Sequence, residues 1–275
     1  MTGQRDHAET GPVIGLLTDF GLVDPYVAEM KAVIFSACPQ ASVIDISHLV
    51  EKFNIRMGAF LLASSTAAFP DGSVFVAVVD PGVGGERRPI VIETGRNFYV
   101  GPDNGILAPA AQSEDIRGVF EITNRSLMRA DISTTFHGRD IFAPVAAHIA
   151  CGVRPQDCGP RIVDYLTPSY SQPKLDDAAA ICEVFHIDGF GNVITNLRNR
   201  QLSALNLTQG QRVRLIFGKN RISGRYVRTY ADLRTKSELG VLAGSHGFVE
   251  IACRESDAAK RIRVKTGMTV RISGA

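Results

Sequence analysis

The chain carries almost no net charge: 30 Lys and Arg against 28 Asp and Glu leave +2 at neutral pH. No basic stripe alternates with aromatics, so nucleic-acid binding has no electrostatic support. No apolar run reaches the ~18–20 residues that a membrane helix needs. Residues 1–11 are polar and lack the apolar centre of a signal peptide, so they read as a frayed tail on a cytoplasmic protein. CxxC, HxxxH and HExxH are all missing. The five cysteines (Cys38, Cys151, Cys158, Cys182 and Cys253) are odd in number and irregular in spacing. That pattern argues against a disulfide framework and against a zinc site, and for free thiols in a reducing compartment.

What is present suits a globular enzyme-sized chain. With 275 residues, 45% hydrophobic and 21% charged, there is enough sequence for two domains with ordinary cores. Residues 13–19 form a short apolar run that ends in Asp19, as a buried parallel strand does. Residues 25–38 have helical spacing, with Asp24 as a cap and Pro25 in the first turn. A strand at 43–46, a helix at 54–69 and a strand at 74–79 follow, and short strands at 90–93 and 97–100 precede a helix at 139–151. This order predicts an α/β domain at 12–166, a mostly parallel sheet with helices on both faces. Residues 167–177, polar and with two prolines, read as a linker. Beyond it, β-like segments at 181–185, 192–196, 213–216, 225–230, 248–252 and 268–272 predict a smaller all-β, barrel-like domain at 178–275.

In open parallel sheets, ligands bind at the carboxyl ends of the strands. Two expected strands end there in aspartate, Asp19 and Asp80. The loop after Asp80, DPGVGGERR, lets backbone approach a ligand and returns Arg87 and Arg88 toward the acid. It lacks the GK[ST] ending of a phosphate-binding loop. The tripeptide at 19–21 is DFG, but 18 residues cannot hold the nucleotide-binding lobe that a kinase places before it. His137 is the histidine best placed for proton transfer, in a polar loop at a helix start. IDGFGNVITN (187–196) is dense in Gly, Asn and Asp, as a tight turn or a ligand clamp would be. Each feature alone also fits a turn or a cap.

Together the segments resemble the SAM hydroxide adenosyltransferase family, hydrolytic relatives of the S-adenosylmethionine (SAM) dependent fluorinase and chlorinase. The resemblance runs from about residue 12 to 259 and rests on six motifs in order: LLTDFGLVDPYVAEMK (16–31), DISH (45–48), VVDPGVGGERR (78–88), YVGPDNG (99–105), TFHGRD (135–140) and IDGFGNVITN (187–196).

The resemblance implies a trimer, with SAM between the N-terminal domain of one subunit and the C-terminal domain of its neighbour. It implies that Asp19 holds the ribose hydroxyls, Asp188 the methionine amine and Asn192 the adenine, with Ser245 near the methionine carboxylate. Backbone near Ala258 and Ala259 faces adenine. His246 stands where the fluorinase has an arginine. Asp80, Arg87 and His137 match the hydrolases' set around the attacking water, with Arg88 as the other candidate arginine. The halogenases have tyrosine and an aromatic residue at the Asp80 and His137 positions, and the fluorinase has serine at the Gly138 position. The expected activity is therefore SAM hydrolysis to adenosine and methionine, with His137 as base, oriented by Asp80, and Arg87 stabilising hydroxide. No metal or added cofactor is implied. The alternatives are a SAM-dependent halogenase, a non-catalytic SAM or adenosine binder, and a hydrolase of another nucleoside.

Overall fold

The computed structural model describes residues 11–176 and 178–275, so all but Gly11 of the expected tail, and Asp177 of the expected linker, lie outside the described residues. Contacts divide the chain into two compact units at the Leu166–Thr167 junction.

The first unit contains β1 (Val13–Thr18), α1 (Tyr26–Ala37), β2 (Ser42–Ser47), α2 (Ile55–Ser65), β3 (Val74–Val78), β4 (Pro89–Thr94), β5 (Phe98–Pro102), α3 (Ala108–Ala111), β6 (Ile116–Glu121) and α4 (Ala143–Ala150). Its sheet has the order β2-β1-β3-β5-β4-β6. Strands β2, β1, β3 and β5 are parallel neighbours, and β4 runs antiparallel to β5 and β6. Both faces of its centre are buried, which is why β1 and β3 read as unbroken apolar runs. Ile14, Leu16, Val74, Val76 and Val78 pack with Met30 and Ile34 of α1 and with Val145 and Ile149 of α4. The other face meets α2, whose Gly58 lies so close that an added Cβ would come within 2.9 Å of Ile106.

Local chemistry shifts several boundaries. Asp24 does not cap α1; Pro25 occupies the N-cap position without a side-chain bond. Asn54 caps α2, its Oδ1 accepting from the Met57 N–H at 2.9 Å. The helix expected at 139–151 opens as a π-helical turn, Gly138–Phe142, before α4. Pro144 has no N–H to give the Asp140 carbonyl, and the Arg129 N–H takes that acceptor at 3.0 Å instead. Strand β6 had no counterpart in the sequence reading. The cysteine expectation fails at one pair: Cys38, capping α1, and Cys151, after α4, form a disulfide with Cα atoms 6.1 Å apart. Cys158, Cys182 and Cys253 are free and buried.

The second unit contains β7 (Lys174–Asp176), β8 (Ala179–Ile187), β9 (Val193–Arg198), β10 (Arg212–Phe217), β11 (Asn220–Tyr226), β12 (Leu239–Ala243), β13 (Phe248–Cys253), α5 (Ala258–Ile262) and β14 (Thr269–Gly274). The order β14-β10-β11-β12-β13-β9-β8 closes through β14–β8 pairing into a barrel, and β7 adds to β8 outside the ring. Closure leaves the ring no free edge. The stretch read as a linker is docked on this unit: Tyr170 is buried, its ring 5.5 Å from that of Phe185. The strand expected at 225–230 ends at Tyr226, and β12 and α5 were not anticipated.

Candidate active site

Each unit gathers one set of the expected residues. In the first, Asp80 follows β3 and Arg87 returns to it. Arg87 Nε donates to both Asp80 carboxylate oxygens at 3.0 Å, and Nη2 donates to Oδ2 at 2.5 Å. Both side chains are largely shielded, Asp80 5% and Arg87 10% exposed. The same Nη2 lies 2.7 Å from His137 Nδ1. An arginine can only donate, so Nδ1 is the acceptor, and a neutral His137 carries its hydrogen on Nε2. Burial, and then the Arg87 charge, hold the His137 pKa below its usual 6.5 against the opposing pull of Asp80 and Asp140. His137 is thus oriented by Arg87, not by Asp80 as the sequence suggested.

Arg88 is committed elsewhere. It bonds Asp103 at 2.7 Å and Asp164 at 2.8 Å, so Arg87 is the arginine that reaches His137. Two glycine-dependent approaches bring the set together. Gly84 has φ +75°, and a Cβ there would sit 2.3 Å from the Thr134 carbonyl oxygen, so the loop after Asp80 rests directly on the loop before His137. A Cβ on Gly138 would meet Met30 and Phe136 at 3.2 and 3.3 Å.

Other motif residues act as staples. Asp140, fully buried, accepts from Arg139 at 2.7 Å and from the Ser133 N–H at 2.8 Å, fixing the loop that carries His137. Asn104 donates to the Val79 carbonyl at 2.8 Å, beside Asp80. Asp19 is buried at the end of β1 and accepts from the Phe53 N–H at 2.8 Å. Its loop is pinned by His48, whose Nδ1 is 2.8 Å from Thr18 Oγ1 and whose carbonyl accepts from the Gly21 N–H at 2.8 Å.

In the second unit Asp188, Asn192, Ser245 and His246 line one cavity of about 800 Å³, with Tyr230 and Glu250. Asp188 Oδ1 accepts from the Phe190 and Asn192 N–H groups, and Oδ2 from Asn192 Nδ2, all at 2.9 Å. The Asn192 amide is thereby oriented with its oxygen left to accept. The Ala259 N–H is spent on the Gly191 carbonyl at 2.9 Å. Glu250, buried, accepts from the Tyr230 hydroxyl; burial and then nearby Asp188 push its pKa up, with the Tyr230 bond opposing. Neither Glu250 nor Tyr230 was singled out in the sequence, although a lone Glu inside the apolar run FVEIAC was a visible signal. Among the described residues, no group of three or more His, Cys, Asp or Glu is placed to hold a metal ion.

Sequence comparison fits both halves. The model of the SAM hydroxide adenosyltransferase N-terminal domain matches residues 14–159, and that of the C-terminal domain matches residues 182–271. The chain belongs to the SAM hydroxide adenosyltransferase family. Within it, the chain is 38% identical to the (R)-S-adenosyl-L-methionine hydrolase of Salinispora tropica, covering 95% of this chain and 98% of that one. It is also 38% identical to the hydrolase of the same name from Salinispora arenicola, over 95% and 98%. A crystal structure of a conserved protein from Thermotoga maritima is similar at 39% identity and TM-score 0.85, over 94% and 99% of the chains. Fluorinases are more distant; that of an Actinoplanes species is 23% identical over 98% of this chain and 99% of its own.

Proposed function

We propose that the protein hydrolyses SAM to adenosine and methionine by attack of water on the ribose 5′ carbon. The observation that carries this is the partly buried Asp80–Arg87–His137 chain, which suits the activation of a small polar nucleophile. The sulfonium makes methionine a neutral leaving group that needs no acid. The barrier lies in the nucleophile, because water is weak and hydroxide scarce at neutral pH.

The tautomer revises the expected role of His137. With Nδ1 occupied by Arg87, the imidazole offers an Nε2 donor, so His137 holds and stabilises hydroxide rather than taking a proton from water. Asp80 fixes Arg87 through paired bonds, and the fixed guanidinium supplies a positive field that acidifies a bound water. The water proton leaves to solvent. Hydroxide oxygen bonds to C5′, the C5′–S bond electrons go to sulfur, and SAM plus water becomes adenosine, methionine and one proton. Opposite charges are annihilated on the way, which a water-poor site favours.

Asp19 grips the ribose diol with the carboxylate capacity that Phe53 leaves free, which holds C5′ in line. Asp188 takes the methionine ammonium, the Asn192 amide oxygen accepts from the adenine amino group, and Ser245 donates to the methionine carboxylate. The reaction uses no cofactor. The family resemblance supports a homotrimer, which sedimentation at several concentrations tests. The Cys38–Cys151 disulfide favours an oxidising compartment over the cytoplasm expected from the sequence, since reducing compartments disfavour such bonds.

Incubating pure protein with SAM in chloride buffer and separating the products tests the activity. Adenosine with equimolar methionine is expected. Intact SAM with binding seen by calorimetry would make the protein a binder, and chlorodeoxyadenosine would make it a halogenase.

A further inference from the structure

The barrel unit has a second cavity, of about 390 Å³, lined by none of the residues above. Four arginines from four different segments line it: Arg212 on β10, Arg225 on β11, Arg234 in the loop before β12, and Arg261 on α5. Its one acidic residue is Glu238. In a chain with net charge +2 this is a marked local concentration of positive charge. Arg212 and Arg225 are direct cross-strand partners on antiparallel strands, where like charges repel and destabilise pairing.

The cavity is organised rather than merely basic. Glu238 takes Arg225 through two bonds, Nε to Oε1 at 2.9 Å and Nη2 to Oε2 at 3.0 Å, and Arg225 also reaches the Asp232 carbonyl. The Arg234 N–H donates to Glu238 at 2.6 Å, so the same carboxylate fixes the loop that presents Arg234. One acid therefore sets one guanidinium and the position of another. Arg212, Arg234 and Arg261 have no hydrogen-bond or ion-pair partner for their guanidinium groups among the described residues. With Glu238 neutralised by Arg225, three positive charges face the cavity uncompensated, beside the Ser223 and Ser237 hydroxyls. Guanidinium forks match phosphate oxygens bidentately. A volume of about 390 Å³ lies in the range of small-molecule sites and exceeds what one phosphate fills.

We propose that this cavity is a binding site for a di- or triphosphate group, held by Arg212, Arg234 and Arg261 around a fixed Arg225. The polyphosphate supplies the counter-charge that Arg212, Arg234 and Arg261 lack. The source is a free polyphosphate or the phosphate chain of a nucleotide, which present the same chemistry. The site stands independently of SAM hydrolysis.

Calorimetric titration of the full chain with inorganic triphosphate, at physiological ionic strength, tests it. One site per chain is expected, with much weaker binding of orthophosphate. Arg212→Ser, Arg234→Ser and Arg261→Ser, all at exposed positions, should each weaken triphosphate on the order of tenfold. Arg214→Ser, on β10 but outside the cavity, should leave binding unchanged. Tighter binding of ATP than of triphosphate would name the nucleotide as the source, and equal binding the bare chain. Absence of triphosphate binding at millimolar concentration, equal affinity for orthophosphate, or equal weakening by Arg214→Ser would each overturn the proposal. Unchanged melting temperatures in the variants would show that a loss is not unfolding.

Discussion

The two sets of polar residues are built differently. In the first unit, Asp80, Arg87 and His137 form a partly buried chain of short bonds in which Arg87 occupies both Asp80 and His137 Nδ1. In the second unit, Asp188, Asn192, Ser245 and His246 border a cavity of about 800 Å³, and Ser245 and His246 are exposed, with only a 3.5 Å contact between them. A prearranged hydrogen-bonded network suits the stabilisation of a small charged nucleophile in the transition state. An open cavity edged with polar groups suits recognition of a bulky substrate. Loss from the first set should therefore appear in kcat and loss from the second in KM.

Arg87→Met makes the sharpest break. It strands the buried Asp80 carboxylate and removes the partner of His137, so kcat should fall by roughly 10³-fold, with a stability loss of about 3 kcal/mol or more on denaturant unfolding. A near-normal kcat would dissolve the distinction between the two units. His137→Phe should lower kcat by about 10²-fold with little change in KM, measured by initial rates. The pH profile sharpens the same point. His137 is held below 6.5, so it is neutral at pH 7 and above, and kcat should stay level down to that value. Below it, protonation removes the acceptor for Arg87 and sets two cations together, so the rate should fall. An acid limb above 6.5 that vanishes in His137→Phe would mean that the ring works with a raised pKa, as a base. Asp188→Asn should raise KM for SAM about tenfold and leave kcat within a factor of about three, because one charge-assisted contact is lost in ground and transition states alike. The smallest effect is a thiol count: unfolded, unreduced protein should titrate three thiols of its five cysteines, and five would show Cys38 and Cys151 reduced.

Much of the first unit is visible in its sequence, because strands buried on both faces read as apolar runs and Asp19 and Asp80 mark their carboxyl ends. The choice between Arg87 and Arg88 was not visible. It depends on Asp103 and Asp164 drawing Arg88 away, and Asp164 lies 76 positions along the chain. The Cys38–Cys151 pair is hidden for the same reason, at a separation of 113, by two helix ends that meet only when α1 packs on α4. The barrel was harder to read. Leu239–Ala243 and Asn220–Tyr226 are short and interrupted by glycine, and their pairing is set by ring closure rather than by local pattern. Asp188 and Asn192 stood out within their motif, but the bond between them, which leaves the Asn192 oxygen as the acceptor, is a property of the turn and not of the spacing.

The most direct test of the account is hydrolysis of SAM in oxygen-18 water, with the products weighed by mass spectrometry. Attack by water at C5′ predicts one heavy oxygen in adenosine and none in methionine; adenosine without the label, or label in methionine, would contradict it.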